Sequence, residues 1–265
     1  MFRHFPAEFV YQFFALIFSV ILVHGAYVTV VRPNAEAVLA EQRALVAKQP
    51  DAEVEPSLWV ILKDYEQESE IILMLWALAI LAYKWVFVLR ERGLLEQDLL
   101  PLTEGIKILP EDARRYVKPL EALKPTQRNL FLPRAVFQSL MRFETTRSVQ
   151  DAASAISAVC QNEGERLDSE LAQIRYVAWA IPAIGFIGTV RGISNAMGLA
   201  HRAVQGDISG VTENLGTAFN STLVALLLGV VLMFLVHQLQ LAQERLVLDS
   251  ETYVNDRLIR HLRTS

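Results

Sequence analysis

A chain of 265 residues that is 52% hydrophobic, with a mean hydropathy of +0.28, is more apolar than an ordinary soluble domain and points to a membrane protein. The net charge is −4 without a long run of like charge, so neither nucleic acid nor an anionic surface is an expected partner. The single cysteine, Cys160, excludes an intrachain disulfide, and the histidines show no metal-ligand spacing, so no metal or cofactor is expected.

Crossing a bilayer takes about 20 mostly apolar residues in a helix, and four stretches come near that length. The first, 13–31, reads as a retained anchor, because no small-residue cleavage site follows Val31. A polar segment, 32–70, separates it from the second stretch, 71–89. From Pro33 to Glu70 nine residues are acidic and three are basic, whereas Arg90, Arg92, Arg166 and Arg175 flank the segment 90–175. By the positive-inside bias the first loop lies outside and 90–175 is cytoplasmic. Lys84, near the inner end of the second stretch, is expected to snorkel to the headgroups.

Pro101, Pro110, Pro119, Pro125 and Pro133 divide the first half of the cytoplasmic segment into short helices. From Arg147 the sequence is alanine-rich and free of proline up to Ile181, which predicts one long helix entering the third span, 176–199. The fourth span, 216–237, continues into a cytoplasmic tail carrying Arg245, Arg257, Arg260 and Arg263, so both termini are expected in the cytoplasm. The expected architecture is all-α, with a transmembrane pair in 1–89, a helical cytoplasmic segment in 90–175, and a second pair with a helical extension in 176–265.

The third span places Pro182, Gly185, Thr189, Gly192 and Ala196 on one face, and Gly188 forms a GxxxG pair with Gly192. The fourth repeats the pattern with Ala218, Thr222, Ala225 and Gly229, and Thr217 and Ser221 lie close by. These faces are expected to meet, presenting two threonine hydroxyls to a shared seam. Two readings fit: small residues and carbonyl-bonded threonines simply pack helices closely, or the hydroxyls line an ion route. Arg191 follows Thr189 off that face; it either snorkels, pairs with Glu213 of a neighbouring chain, or lines an outer vestibule.

None of the four stretches contains Asp or Glu, whereas proton relays through membranes use a group that changes charge. If the chain conducts ions, the expected titrating group comes from a second protein placed against Thr189 and Thr222. Arg191 is then expected to face away from that carboxylate, because a fixed cation beside it opposes protonation. No nucleophile with a base, phosphate loop or paired carboxylates occurs at a useful spacing, so enzyme chemistry is not expected.

The stretch Ile181 to Ile193, IPAIGFIGTVRGI, resembles the third-span signature of the MotA/TolQ/ExbB proton-channel family, and Leu215 to Leu228, LGTAFNSTLVALLL, resembles its companion. The order of four spans around a large cytoplasmic segment is similar to the flagellar-stator branch. The resemblance implies a ring of subunits, typically five, around two copies of a single-span MotB/TolR/ExbD-like partner whose membrane aspartate carries H+ or Na+ in a bacterial inner membrane. It also implies that Thr189 and Thr222 are pore threonines, with Thr217 and Ser221 beside them, and that Pro182 is the proline that bends the third span. The chain departs from the TolQ and ExbB branch at Thr217, where that branch has glutamate, and at Val231, where it has proline. Arg191 stands where tryptophan is common.

Overall fold

A computed structural model describes residues 7–49, 56–97, 99–100 and 106–264, and no strand occurs among them. Pro101 lies outside the described residues. Among the described residues, four helices are long and apolar enough to cross a membrane. Their residues fall into two compact units, one comprising 1–82 and 173–236 and the other 83–172 and 237–265.

In the first unit, α1 (Ala7–Ala26) does not stop at the end of its apolar stretch. It passes through a π-helical turn, Tyr27–Val31, into α2 (Arg32–Lys48), so much of the expected outer loop is helix. The Arg32 N–H donates to the Tyr27 carbonyl five residues back, widening the helix where Pro33, second in α2, has no donor of its own. After the short α3 (Leu58–Leu62), α4 (Tyr65–Leu95) begins six residues before the expected span boundary at Ile71, bringing Glu66, Glu68 and Glu70 onto the helix. Glu66 and Glu68 lie in its first turn, where carboxylates favour the exposed N–H groups and the positive end of the helix dipole.

The second unit has a core of large side chains. Amphipathic α5 (Ala113–Glu121) buries Ala113, Val117 and Leu120. The four-residue α6 (Pro125–Arg128) leads to α7 (Phe131–Thr146), which buries Leu132, Val136, Leu140 and Phe143 on one face. Glu91 of α4 is 1% exposed, and its Oε1 accepts a 2.7 Å hydrogen bond from the Phe131 N–H, satisfying a donor at the start of α7 that has no partner inside that helix. α7 closes at Arg147, whose φ of 55° gives the left-handed C-cap that turns the chain into α8 (Val149–Gly198). Contrary to the snorkelling expectation, Lys84 is 4% exposed and pairs with Glu170 at 2.9 Å, because a buried ammonium needs a fixed counter-charge.

α8 is continuous through Pro182, and α9 (Ala200–Val204) leads to α10 (Ser209–Arg257), which extends the fourth span as expected. Both long helices carry buried stripes with spacings of three and four residues. In α8 the stripe includes Ala152, Ile156, Cys160, Glu163, Leu167, Leu171 and Ile174; in α10 it includes Leu232, Val236, Leu239, Gln243, Leu246, Ser250 and Val254. Both stripes average about 3.7 residues per step, close to the 3.6 of an α-helix turn, so each stays on one side of its helix over many turns.

Candidate functional site

Within the first unit, the α8 stripe changes from large side chains to glycine, and α10 answers with small residues in antiparallel order. A methyl group built on Gly192 would lie 2.7 Å from Ala218 Cβ and 2.8 Å from the Asn214 carbonyl oxygen. On Gly188 it would lie 2.6 Å from Ser221 Cβ, and on Gly185 it would collide with the Ala225 methyl. Pro182 packs beneath Gly229, its Cγ 3.1 Å from where a side chain there would begin. The backbones approach this closely only because Gly185, Gly188 and Gly192 have no side chains.

At this seam the hydroxyls of Thr189 and Thr222 are hydrogen-bonded directly to each other. Thr189 Oγ1 also lies 2.9 Å from the Ala218 carbonyl and 3.3 Å from the Gly185 carbonyl, and Thr222 Oγ1 lies 3.2 Å from the latter. Both threonines are half-buried. Ser221 is fully buried, and its hydroxyl donates to the carbonyl of half-buried Thr217 at 3.0 Å. Ala196 and Ala218 are buried on the same stripes. The structure thus gathers Thr189, Thr222, Thr217, Ser221 and the small residues around one α8–α10 contact.

Arg191 finds a partner within its own chain. Its guanidinium donates to Glu66 of α4 in its own chain at 2.7 Å, and Glu213 instead pairs with Arg43 of α2 at 3.2 Å. The reason is the early start of α4, which places a carboxylate within reach of α8.

The same shift brings carboxylates of this chain up to the glycine face. A methyl on Gly188 would lie 3.0 Å from Glu66 Cγ, and one on Gly185 would lie 3.3 Å from Glu70 Oε1. Glu66 and Glu70 therefore sit opposite residues of the third apolar stretch, although in sequence they precede the second. Glu68 is engaged by His24 at 2.6 Å and by Arg32, which also stacks 4.3 Å over the Tyr65 ring. Glu66 and Glu70 are four apart and Gln67 lies between them in sequence; that helix-face spacing is the one signal along the chain that marks them as a group.

Residues 127–252 match the family model described as the MotA/TolQ/ExbB proton channel family. That part of the chain belongs to this family. The MotA/TolQ/ExbB region takes in all of α8 and most of α10, and with them Thr189, Thr222, Arg191 and the glycine face. Glu66, Gln67 and Glu70 lie outside it. Comparison with curated proteins finds no match, and comparison with solved structures finds none either.

Proposed function

We propose that this chain is the channel-forming subunit of an ion-driven motor complex in a bacterial inner membrane, coupling a flow of protons or sodium ions to mechanical work on a partner that reaches into the envelope. Both termini lie in the cytoplasm, about five copies form a ring, and the ring encloses two copies of a single-span MotB/TolR/ExbD-like protein with a membrane aspartate. The observation that carries this reading is the Thr189–Thr222 hydroxyl pair at a close α8–α10 contact inside the MotA/TolQ/ExbB region. Hydroxyls can bond an arriving carboxyl or a dehydrated cation without carrying a charge across the bilayer themselves. One elementary charge moved through 100 mV releases about 2.3 kcal/mol, so a few ions per step suffice to shift a conformational equilibrium.

A second reading, a non-conducting scaffold of the same fold, is favoured by the same pair seen differently: each hydroxyl is already satisfied by its neighbour or by a backbone carbonyl. Proton uptake into liposomes under an imposed potential separates the two. The channel subunit gives flux only with its single-span partner present and loses it in Thr189→Val and Thr222→Val. A scaffold gives no partner-dependent flux, and its behaviour is unchanged by either substitution.

A further inference from the structure

Close to the threonine pair, the first unit buries oxygen atoms that nothing bonds. Glu70 is 0% exposed, and among the described residues neither of its carboxylate oxygens has a hydrogen-bond partner. Gln67, one helical turn earlier, is also 0% exposed; its Nε2 donates to the Ile61 carbonyl at 3.1 Å and lies 3.4 Å from Ser221 Oγ, which fixes the amide and leaves Oε1 unpartnered. Tyr27, at the start of the π-helical turn, is 2% exposed, and its hydroxyl is unpartnered too. Buried polar groups are nearly always hydrogen-bonded, and a buried carboxylate without a counter-charge is among the most costly groups a fold can hold.

What these atoms have in common decides what they lack. The Glu70 and Gln67 oxygens are acceptors only, so the missing group is a donor or a cation rather than another carboxylate. The nearby basic side chains are committed elsewhere: Arg191 on α8 to Glu66, and Arg32 and His24 to Glu68. On the α10 side, Ser221 and Thr222 bring hydroxyls and carbonyls and no charge. Glu66 and Tyr27 are the titratable groups whose charges couple to Glu70.

We propose that Glu70 is an ion-binding carboxylate of this chain's own, holding a proton or a sodium ion between α4, α8 and α10 beside the Thr189–Thr222 pair. The proposal deepens the ion-pathway reading and rests on it. Each subunit then contributes a cation site to the route in addition to whatever a partner supplies. Glu66 holds Arg191, so the guanidinium is kept on Glu66 and Glu70 stays available to the ion.

Carbodiimide labelling of the full chain in phosphatidylcholine nanodiscs, without any partner, tests this directly. A protonated carboxyl in an apolar site adds across one C=N bond of the reagent, its oxygen to carbon and its proton to nitrogen. The adduct rearranges to a stable N-acylurea with no leaving group and no change of oxidation state. Peptide mapping is expected to find label on Glu70 that declines as the pH is raised, and about tenfold or more above that on ion-paired Glu66. A further decline on adding sodium rather than potassium chloride at fixed pH identifies sodium as an occupant; equal labelling in both salts identifies the proton alone. In parallel, infrared titration should show a protonated-carboxyl band that disappears in Glu70→Gln and persists in Glu66→Gln. Either readout at Glu70 supports the site, and the unmutated chain suffices for the labelling if Glu70→Gln does not fold. Glu70 unlabelled from about pH 5 to pH 9, together with an infrared titration unchanged by Glu70→Gln, overturns it. Neither measurement uses flux or a partner, so failure here is distinct from failure of the channel reading.

Discussion

Arg191 and Glu66, 125 positions apart in sequence, are joined by a 2.7 Å ion pair between α8 and α4. Glu66 is nearly buried, with 10% of its side chain exposed, while Arg191 remains 44% exposed. The asymmetry matters because the carboxylate depends on the guanidinium more than the guanidinium depends on it.

Removing the cation should therefore cost more than removing the pair. Arg191→Met is expected to destabilise the chain by about 1–2 kcal/mol, below the cost for a fully buried pair because the arginine is partly exposed. Arg191→Met with Glu66→Gln should recover most of that loss. A double-mutant cycle on thermal unfolding in detergent checks it, and a double-variant loss equal to the sum of the two single-variant losses would show that the pair contributes nothing.

The glycine face should tolerate methyl groups unequally. At Gly185 a methyl meets the Ala225 side chain and at Gly192 it meets α10 backbone, so Ala at either position should force the helices apart and cost about 1–3 kcal/mol. Gly164, also on α8, has nothing within 4 Å of its Cβ position, so Gly164→Ala should stabilise by up to about 1 kcal/mol through helix propensity alone. Melting temperatures of the three variants should divide in that pattern.

Cys160 should be inert until the chain unfolds. It is 4% exposed and lies outside the apolar stretch 176–199; burial first, then the charges of Glu251 and Glu163, push its thiol up to about 12. Alkylation requires the thiolate, so at pH 7.5 iodoacetamide should modify the folded protein at least about 100-fold more slowly than the denatured one. The thiol is raised relative to the unfolded chain, so its stabilising effect is complete below about pH 8.5 and is lost as the pH climbs towards 12. Comparable labelling rates in the folded and denatured protein would contradict the burial of Cys160.

The family region was legible because its signal is local. Glycine and threonine at spacings of three and four on Ile181–Ile193 and Leu215–Leu228 belong to single helices, and a small face on each of two neighbouring spans has little to pack against except the other. Hydropathy averages over a window and places a span boundary where charge begins, so it leaves Glu66 and Glu70 outside the second stretch although both lie on α4. Whether Glu70 belongs to a loop or to a packed helix depends on what stands opposite it, and that residue, Gly185, is 115 positions away.

The sequence by itself determined an all-helical membrane protein with four apolar helices and a MotA/TolQ/ExbB region, because periodicity, hydropathy and motif spacing are properties of contiguous residues. The tertiary structure alone decided the register between α4 and α8. It thereby decided that Arg191 meets Glu66 rather than Glu213, that Lys84 is buried against Glu170, and that Glu70 is held without a counter-charge beside the threonine pair. Register is set by which side chains fit against a glycine face, and that fit is a nonlocal balance of packing and desolvation which no window along the chain contains.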